Sequence, residues 1–86
     1  MEILLKKQPQ KYLKKLDEKT RAKLYAALDE VSEFRGDIRK LAGMKNLYRY
    51  KTPPFRIIFE WRKSEIVITV VEINTRTDIK YREAAR

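Results

Sequence analysis

The sequence predicts an α+β fold: a small antiparallel-rich sheet in the order β-α-α-β-β-β, with two helices packed on one face. Three observations lead to this prediction. Residues 47–76 (LYRYKTPPFRIIFEWRKSEIVITVVEINTR) are the most apolar and β-branched part of an otherwise highly charged chain, which favours strands. Two segments with helical apolar spacing precede them, and a short apolar segment, EILL, comes before both. Because no Gly/Ser linker or repeat interrupts the chain, residues 1–86 are expected to form one domain.

The first part of the chain is predicted to supply one strand and two helices. Glu2–Leu5 is short and apolar, so we expect a strand at a sheet edge or parallel to a later strand. Gln8 and Pro9 open the first helix, because the missing N–H of proline would be unpaired at a first helical position anyway. Asp17 is the expected N-cap of the second helix, which should run to residues 32–34. The apolar positions of the second helix follow one face: Leu24, Ala27, Leu28 and Val31.

The joint between the helices and the sheet contains the only two glycines of the sequence. Gly36 is expected to end the second helix in a left-handed conformation, which glycine adopts without steric cost. Residues 37–46 are expected to form an irregular loop, with Leu41 and Met44 anchored in the core.

Three strands are predicted after residue 46. Leu47–Lys51 alternates tyrosines with basic residues, and the prolines of Thr52–Pro54 then make a turn. Phe55–Arg62 also alternates and is followed by a hairpin tip at residues 63–64. Ile66–Ile73 is nearly continuous in β-branched residues, which predicts a central strand buried on both faces.

The hairpin tip also predicts a register, since Arg62 should lie opposite Glu65. This register sets aromatic side chains against β-branched ones on the core face, a favourable cross-strand pairing. The expected pairs are Trp61–Ile66, Phe59–Ile68, Ile57–Val70 and, on the opposite face, Arg56–Val71.

The charge of the chain points to a polyanionic partner. Twenty-one Lys and Arg residues against twelve Asp and Glu give a net charge of +9. A nucleic acid is the first expectation for so basic a small domain, and an acidic protein or a membrane surface is the second. The alternative is that the charge only keeps the protein in solution.

Composition also excludes several classes of site. The sequence has no cysteine and no histidine, so it lacks thiolate ligands, imidazole ligands and the commonest general base. No Asp/Glu cluster has metal-ligand spacing, so we expect neither a metal nor a cofactor. No apolar run approaches the roughly 20 residues of a membrane span, and MEILLKKQ is too short for a secretory signal, so a cytoplasmic protein is expected.

The candidate site consists of four cations and a tyrosine: Arg49, Lys51, Arg56, Arg76 and Tyr81. RNA cleavage through the 2′-hydroxyl needs a proton acceptor, a proton for the leaving 5′-oxygen and cations for the charge on the phosphate. A guanidinium group matches two phosphate oxygens, and a lysine crowded by other cations gives up its proton more readily. These five residues are chemically sufficient if the fold brings them together. Passive binding of a polyanion by the same cations is the alternative.

The order of motifs resembles the RelE/ParE superfamily of bacterial toxins from toxin–antitoxin modules. KLAG is followed by LYRYK, a turn, FRIIFEW, a hairpin, IVITVVEINTR and a terminal tyrosine. The resemblance covers nearly the whole chain and implies the β-α-α-β-β-β fold. It matches Arg49 and Lys51 to the paired basic positions before the turn, Arg56 to the phosphate-stabilising arginine, and Arg76 to the second arginine. Tyr81 matches the C-terminal tyrosine, to which a base, stacking or orienting role is assigned.

The resemblance also implies a function and partners. RelE-like members cleave mRNA in the ribosomal A site without metal and leave a 2′,3′-cyclic phosphate, so the 70S ribosome with its mRNA would be one partner. A cognate acidic antitoxin would be the other, in a toxin–antitoxin hetero-oligomer, and no membrane partner is implied. Arg49 stands where lysine would accept a proton better, so Lys51 is the stronger base candidate. The alternatives are a ParE-like inhibitor of DNA gyrase without catalysis and a basic RNA- or ribosome-binding module that does not cleave.

Overall fold

The computed structural model describes residues 1–81 and confirms the predicted fold class. Within these residues two helices and five strands follow one another as β1 (Glu2–Leu5), α1 (Lys7–Lys14), α2 (Glu18–Ser32), β2 (Ile38–Lys40), β3 (Leu47–Thr52), β4 (Phe55–Glu60) and β5 (Val67–Thr75). The sheet has the order β1-β5-β4-β3-β2. Strand β1 pairs parallel to β5, and the other neighbours are antiparallel.

Strand β2 was not predicted, because residues 37–46 were expected to be irregular throughout. It pairs antiparallel with β3 at one edge of the sheet, where Arg39 lies opposite Arg49. The strand is three residues long and two of them are exposed cations, so it carries no apolar alternation. Short, charged edge strands are common because they resist pairing with other chains.

The start of α2 is as predicted. The Asp17 carboxylate accepts a hydrogen bond from the Thr20 backbone N–H at 3.2 Å. Hydrogen bonds to this carboxylate, first from the Thr20 side chain and then from the Thr20 backbone, lower the pKa of Asp17 below the ordinary value of 3.8. The Arg21 guanidinium secures the corner between the helices by donating to the carbonyl oxygens of Leu13 and Leu16 at 2.8 and 2.6 Å.

The end of α2 differs from the prediction, because Phe34 and not Gly36 adopts the left-handed conformation next to the helix. Phe34 has φ 55°. Its N–H donates to Val31 O at 2.8 Å, and the Arg35 N–H donates to Glu30 O at 2.9 Å, the two bonds of a Schellman motif. Gly36 follows two residues later with φ 99°.

The main core lies between the helices and one face of the sheet. The four predicted positions of α2 are buried there, together with the inward residues of the three long strands: Leu24, Ala27, Leu28, Val31, Tyr50, Phe55, Ile57, Phe59, Ile68, Val70 and Ile73. Trp61 packs against this core but is only partly buried, with its ring centroid 5.1 Å from that of Phe34.

A second, smaller apolar cluster lies on the opposite face of the sheet, which we call the far face. It consists of Leu41, Ile58 and Ile79, with Met44 packed against it. Leu41 and Met44 were predicted to anchor in the core, and they enter this second cluster instead. Part of the far face is therefore covered by the chain itself.

The predicted register between β4 and β5 is wrong. Phe59 pairs with Val70, and Ile57 pairs with Ile73. The turn is where it was expected, since the Glu65 N–H donates to Arg62 O at 3.0 Å. However, the Trp61 backbone N–H donates to Asn46 O, next to β3, and Ile66 O accepts from the backbone N–H of Glu2, the first residue of β1. These residues leave the β4–β5 ladder, so strand β5 starts one residue later than predicted, at Val67.

Candidate functional site

A row of three polar side chains crosses the far face at the end of the sheet next to the proline turn. Lys51 lies opposite Arg56 on β4, and Arg56 lies opposite Asn74 on β5. Directly opposite residues in an antiparallel sheet have Cα atoms about 4.5–5.5 Å apart, so the three side chains leave the sheet as neighbours. Lys51 is exposed, and Arg56 and Asn74 are partly exposed. We call Lys51, Arg56 and Asn74 the polar row.

A buried row runs parallel to it and contains Arg49, Ile58 and Glu72. Arg49 lies opposite Ile58, and Ile58 lies opposite Glu72. Arg49 is 7% exposed and Glu72 is 4% exposed. The Arg49 Nη1 atom lies 3.9 Å from the Asp37 carboxylate. Arg49 is thus on the predicted face, but its side chain is buried there.

Arg76 and Tyr81 approach the same end of the far face by different routes. The Arg76 backbone N–H donates to Pro54 O at 2.9 Å, which places this exposed residue beside the proline turn. Tyr81 is 39% exposed. Its chain segment turns back over the far face because Ile79 is buried against Ile58. The structure therefore brings the five predicted residues to one face, with Arg49 buried.

Glu72 is the residue of this face that sequence reasoning missed. Its carboxylate accepts the backbone N–H of Lys80 at 2.9 and 3.1 Å and that of Tyr81 at 3.2 Å. It also accepts from the Asn74 amide at 2.9 Å. A single carboxylate inside the run TVVEIN was the available signal, since a buried charge needs partners.

A β-bulge places Glu72 on the far face. Along β5 the even-numbered residues Ile68 and Val70 face the main core, but further on the odd-numbered Ile73 faces it, so the alternation shifts by one residue. The change occurs at the register shift opposite Ile58 and Phe59. Without the extra residue, regular alternation would turn Glu72 toward the main core.

Two tyrosines on the helix side of the sheet, Tyr50 and the partly buried Tyr12, are poorly suited to act as bases. Burial raises the pKa of Tyr50 above its ordinary value, and the negative charges of Glu30 and Asp37 raise it further. Burial also raises the pKa of Tyr12, with a smaller contribution from Asp78. Both phenols therefore keep their protons at neutral pH.

A stripe of lysines on α1 and on the residue directly after it adds positive charge near this end of the molecule. Lys7, Lys11 and Lys15 recur every fourth residue and, with Gln8 and Tyr12, line an open groove of about 460 Å³. The Lys15 ammonium lies 5.3 Å from the Tyr12 ring centroid. Four residues of helix rise about 6 Å, so the three charges form a line that can attract a polyanion.

Within residues 1–81, no group of three or more His, Cys, Asp or Glu side chains is placed to hold a metal ion. No helix in the described part of the chain has the length and apolar character needed to cross a membrane.

Comparisons with known proteins agree with this architecture. A family model described as the ParE toxin of the type II toxin–antitoxin system, parDE, matches residues 3–79. A comparison with curated protein sequences gives no significant match. Among solved structures, RelE in the intact E. coli RelBE toxin–antitoxin complex is 24% identical, with a TM-score of 0.70 over 86% of this chain and 94% of that one.

Two archaeal structures are similar to the same degree. The archaeal RelE–RelB complex from Pyrococcus horikoshii OT3 has 21% identity and a TM-score of 0.70, covering 91% of this chain and 97% of that one. The RelB–RelE complex from Methanococcus jannaschii has 22% identity and a TM-score of 0.66, covering 86% and 91%. At these identities the likeness establishes a shared fold.

Proposed function

The chain belongs to the ParE toxin family of type II toxin–antitoxin systems, within the RelE/ParE superfamily, and we propose that it acts as a ribosome-dependent endoribonuclease on mRNA. The observation that carries this proposal is the polar row of Lys51, Arg56 and Asn74 on the far face. It lies beside Arg76, and the Tyr81 backbone is bound to Glu72 one row away. Neighbouring cations on an accessible face support this proposal, because cleavage of a ribose–phosphate linkage needs cations that stabilise the charge on the phosphate.

The proposed reaction is attack of a ribose 2′-oxygen on the adjacent phosphorus. A P–O2′ bond forms and the P–O5′ bond breaks, which gives a 2′,3′-cyclic phosphate and a free 5′-hydroxyl. Lys51 in its neutral form accepts the 2′-hydroxyl proton, and a water molecule supplies the proton that the departing 5′-oxygen takes up. Arg56 and Arg76 stabilise the charge that builds on the phosphate oxygens, because guanidinium groups bind two such oxygens at once. Tyr81 stacks on or orients a base.

In-vitro translation with the purified protein, followed by primer extension on the mRNA, tests this proposal. We expect cuts at the codon in the A site. Arg56→Ala should lower the cleavage rate by about 10²–10³-fold, the usual effect of removing one transition-state donor. Arg62→Ala is the matched control, since Arg62 is exposed in the hairpin and pairs with Glu60 at 3.3 Å. Full cleavage by a folded Arg56→Ala variant would refute the assigned role.

A second candidate function is inhibition of DNA gyrase without catalysis. The family model that matches the chain favours it, because that model describes ParE toxins. The same preparation should be added to purified gyrase and supercoiled plasmid. Intact mRNA together with gyrase-dependent DNA cleavage would support this alternative and overturn the first. Intact mRNA with only salt-sensitive ribosome binding would identify a non-catalytic module.

The proposed partners follow from the charge and from the neighbours. The E. coli and archaeal relatives were solved with their RelB antitoxins. We infer that this toxin also binds a cognate antitoxin, in a hetero-oligomer and in the cytoplasm. Since the toxin carries a net charge of +9, the toxin-binding part of its antitoxin should be acidic and lie over the cationic surface.

A further inference from the structure

Glu72 is a buried carboxylate in the row next to the polar row, which contains the cations Lys51 and Arg56. Burying a charged group is costly unless hydrogen bonds replace its hydration. The bonds that Glu72 accepts come from the backbone N–H groups of Lys80 and Tyr81 and from the side-chain amide of Asn74. The hydrogen bonds to the negative charge therefore come from neutral donors. One donor, Asn74, belongs to the polar row, and the other two belong to the segment that folds back over the far face.

These donors link the two sides of the candidate site through one carboxylate. Asn74 lies directly opposite Arg56 in the sheet. Tyr81 is nine residues further along the chain than Glu72 and reaches the far face only because residues 77–81 fold back. One oxygen of Glu72, Oε2, accepts from both Asn74 and Lys80, at 2.9 Å each. The position of Tyr81 relative to Arg56 is thus set through Glu72.

Hydrogen bonds from N–H donors to a carboxylate are stronger than those between neutral groups. A neutral residue at position 72 would weaken the contacts to Lys80 and Tyr81 together. The packing of Ile79 and the backbone hydrogen bonds from Asp78 and Ile79 to Thr75 O would remain, but none of these contacts involves residues 80 and 81. The backbone that carries the Tyr81 ring would no longer be fixed to Glu72 beside the polar row.

We propose that Glu72 is a positioning residue for cleavage, which fixes the backbone at residues 80 and 81 so that the Tyr81 ring meets the RNA at the polar row. This inference rests on the proposed endoribonuclease function. It assigns Glu72 no contact with the substrate and no proton transfer. Its effect on the reaction passes through Tyr81.

Amide hydrogen exchange and a double-mutant cycle test the inference with the full chain. Glu72→Gln keeps the size of the side chain and one oxygen acceptor but removes the charge. We expect exchange of the Lys80 and Tyr81 amides to become at least about tenfold faster, since these bonds limit local opening. Glu60→Gln is the matched control, because Glu60 lies on β4 in the partly exposed hairpin end. Unchanged exchange in Glu72→Gln would overturn the proposal.

The cleavage readout separates positioning from general support of the fold. We expect Glu72→Gln to lower kcat about 10–100-fold with little change in KM, and Tyr81→Ala to lower it at least as much. The double variant should be no slower than Tyr81→Ala alone, because both changes remove the same contribution. The positioning role would be overturned if the losses in kcat of the two single variants multiplied in the double variant. It would also be overturned if Glu72→Gln changed only KM.

A further variant covers a failure of Glu72→Gln to fold. Glu72→Asp keeps the charge and withdraws both oxygens by one methylene group, so it should show the same faster exchange and the same non-additivity. If wild-type protein cleaves no mRNA, the proposed function fails. Amide exchange at residues 80 and 81 still tests in that case whether Glu72 fixes this backbone. A failure of the proposed function can therefore be told apart from a failure of the role proposed for Glu72.

Discussion

Replacement of Ile79 by alanine tests the placement of residues 77–81 most directly. Ile79 is 4% exposed and packs with Leu41 and Ile58 on the far face. If the surroundings stay in place, an Ile→Ala change at a buried site costs about 2–5 kcal/mol. If the segment detaches instead, the loss is the burial of one isoleucine, about 1.5–3 kcal/mol. The variant adopts whichever of these two states has the lower free energy, so we expect the free energy of unfolding to fall by about 2 kcal/mol.

This loss is measurable by thermal unfolding followed by circular dichroism. In a domain of this size about 2 kcal/mol lowers the melting temperature by roughly 8–16 °C. Ile66→Ala is a matched control, because Ile66 is 74% exposed and the same substitution there should change stability by at most about 0.5 kcal/mol. Equal melting temperatures for the two variants would contradict the burial of Ile79 on the far face.

The same variant links stability to function. Detachment of residues 77–81 removes Tyr81 from the polar row while β3, β4 and β5 stay folded. At a temperature well below its melting point, Ile79→Ala should therefore bind RNA but cleave it slowly. A variant that has lost protection of the Tyr81 amide and still cleaves at the wild-type rate would show that the tyrosine has no part in the reaction.

Three other predictions concern the scaffold. An alanine Cβ at Gly36 would lie 2.5 Å from Cε1 of Tyr50. In denaturant unfolding, Gly36→Ala should therefore lower the free energy of unfolding by about 2–5 kcal/mol, and Gly43→Ala by about 1–2 kcal/mol. Similar losses for the two variants would contradict the close contact with Tyr50. Because the Trp61 ring is only partly buried, Trp61→Ala should lower the free energy of unfolding by about 2–3 kcal/mol, less than is usual for a fully buried ring. A loss near zero would show that the ring lies in solvent. Hydrogen bonding lowers the pKa of Asp17 in the folded state, so its stabilising effect is complete above the ordinary value of 3.8 and is lost as pH falls through the folded value. Unfolding curves of wild type and Asp17→Asn should converge in acid, and a constant difference at all pH values would refute this linkage.

The local signals that were correct depend on periodicity and capping within one segment. The α2 face was predicted from apolar residues three and four apart, and the Asp17 cap from a single side chain before the helix. The alternation of Phe55, Ile57 and Phe59 put the right residues in the main core. Such signals depend on neighbouring residues alone, so one sequence is enough to find them.

The errors arise where the outcome depends on distant segments. The register of β4 and β5 was inferred from the hairpin tip, but Trp61 and Ile66 bond to the outer neighbours Asn46 and Glu2. The left-handed residue after α2 was expected to be glycine, whereas Phe34 accepts that conformation and packs its ring against Phe59, with centroids 5.9 Å apart. Contacts made with other strands override both local preferences.

In the candidate site, the buried row of Arg49, Ile58 and Glu72 lies directly beside the accessible polar row. Leu41, from the loop before β3, and Ile79, from beyond β5, both contact Ile58 at the centre of the far face. Their cover excludes water from the row that contains Arg49 and Glu72, and leaves the polar row beside it open. Charges in the covered row are screened less than those at the surface, so they fix their partners more firmly. A strand pattern of basic residues predicts which face is cationic, but which of those residues stay accessible is decided by the two apolar side chains that cover Ile58.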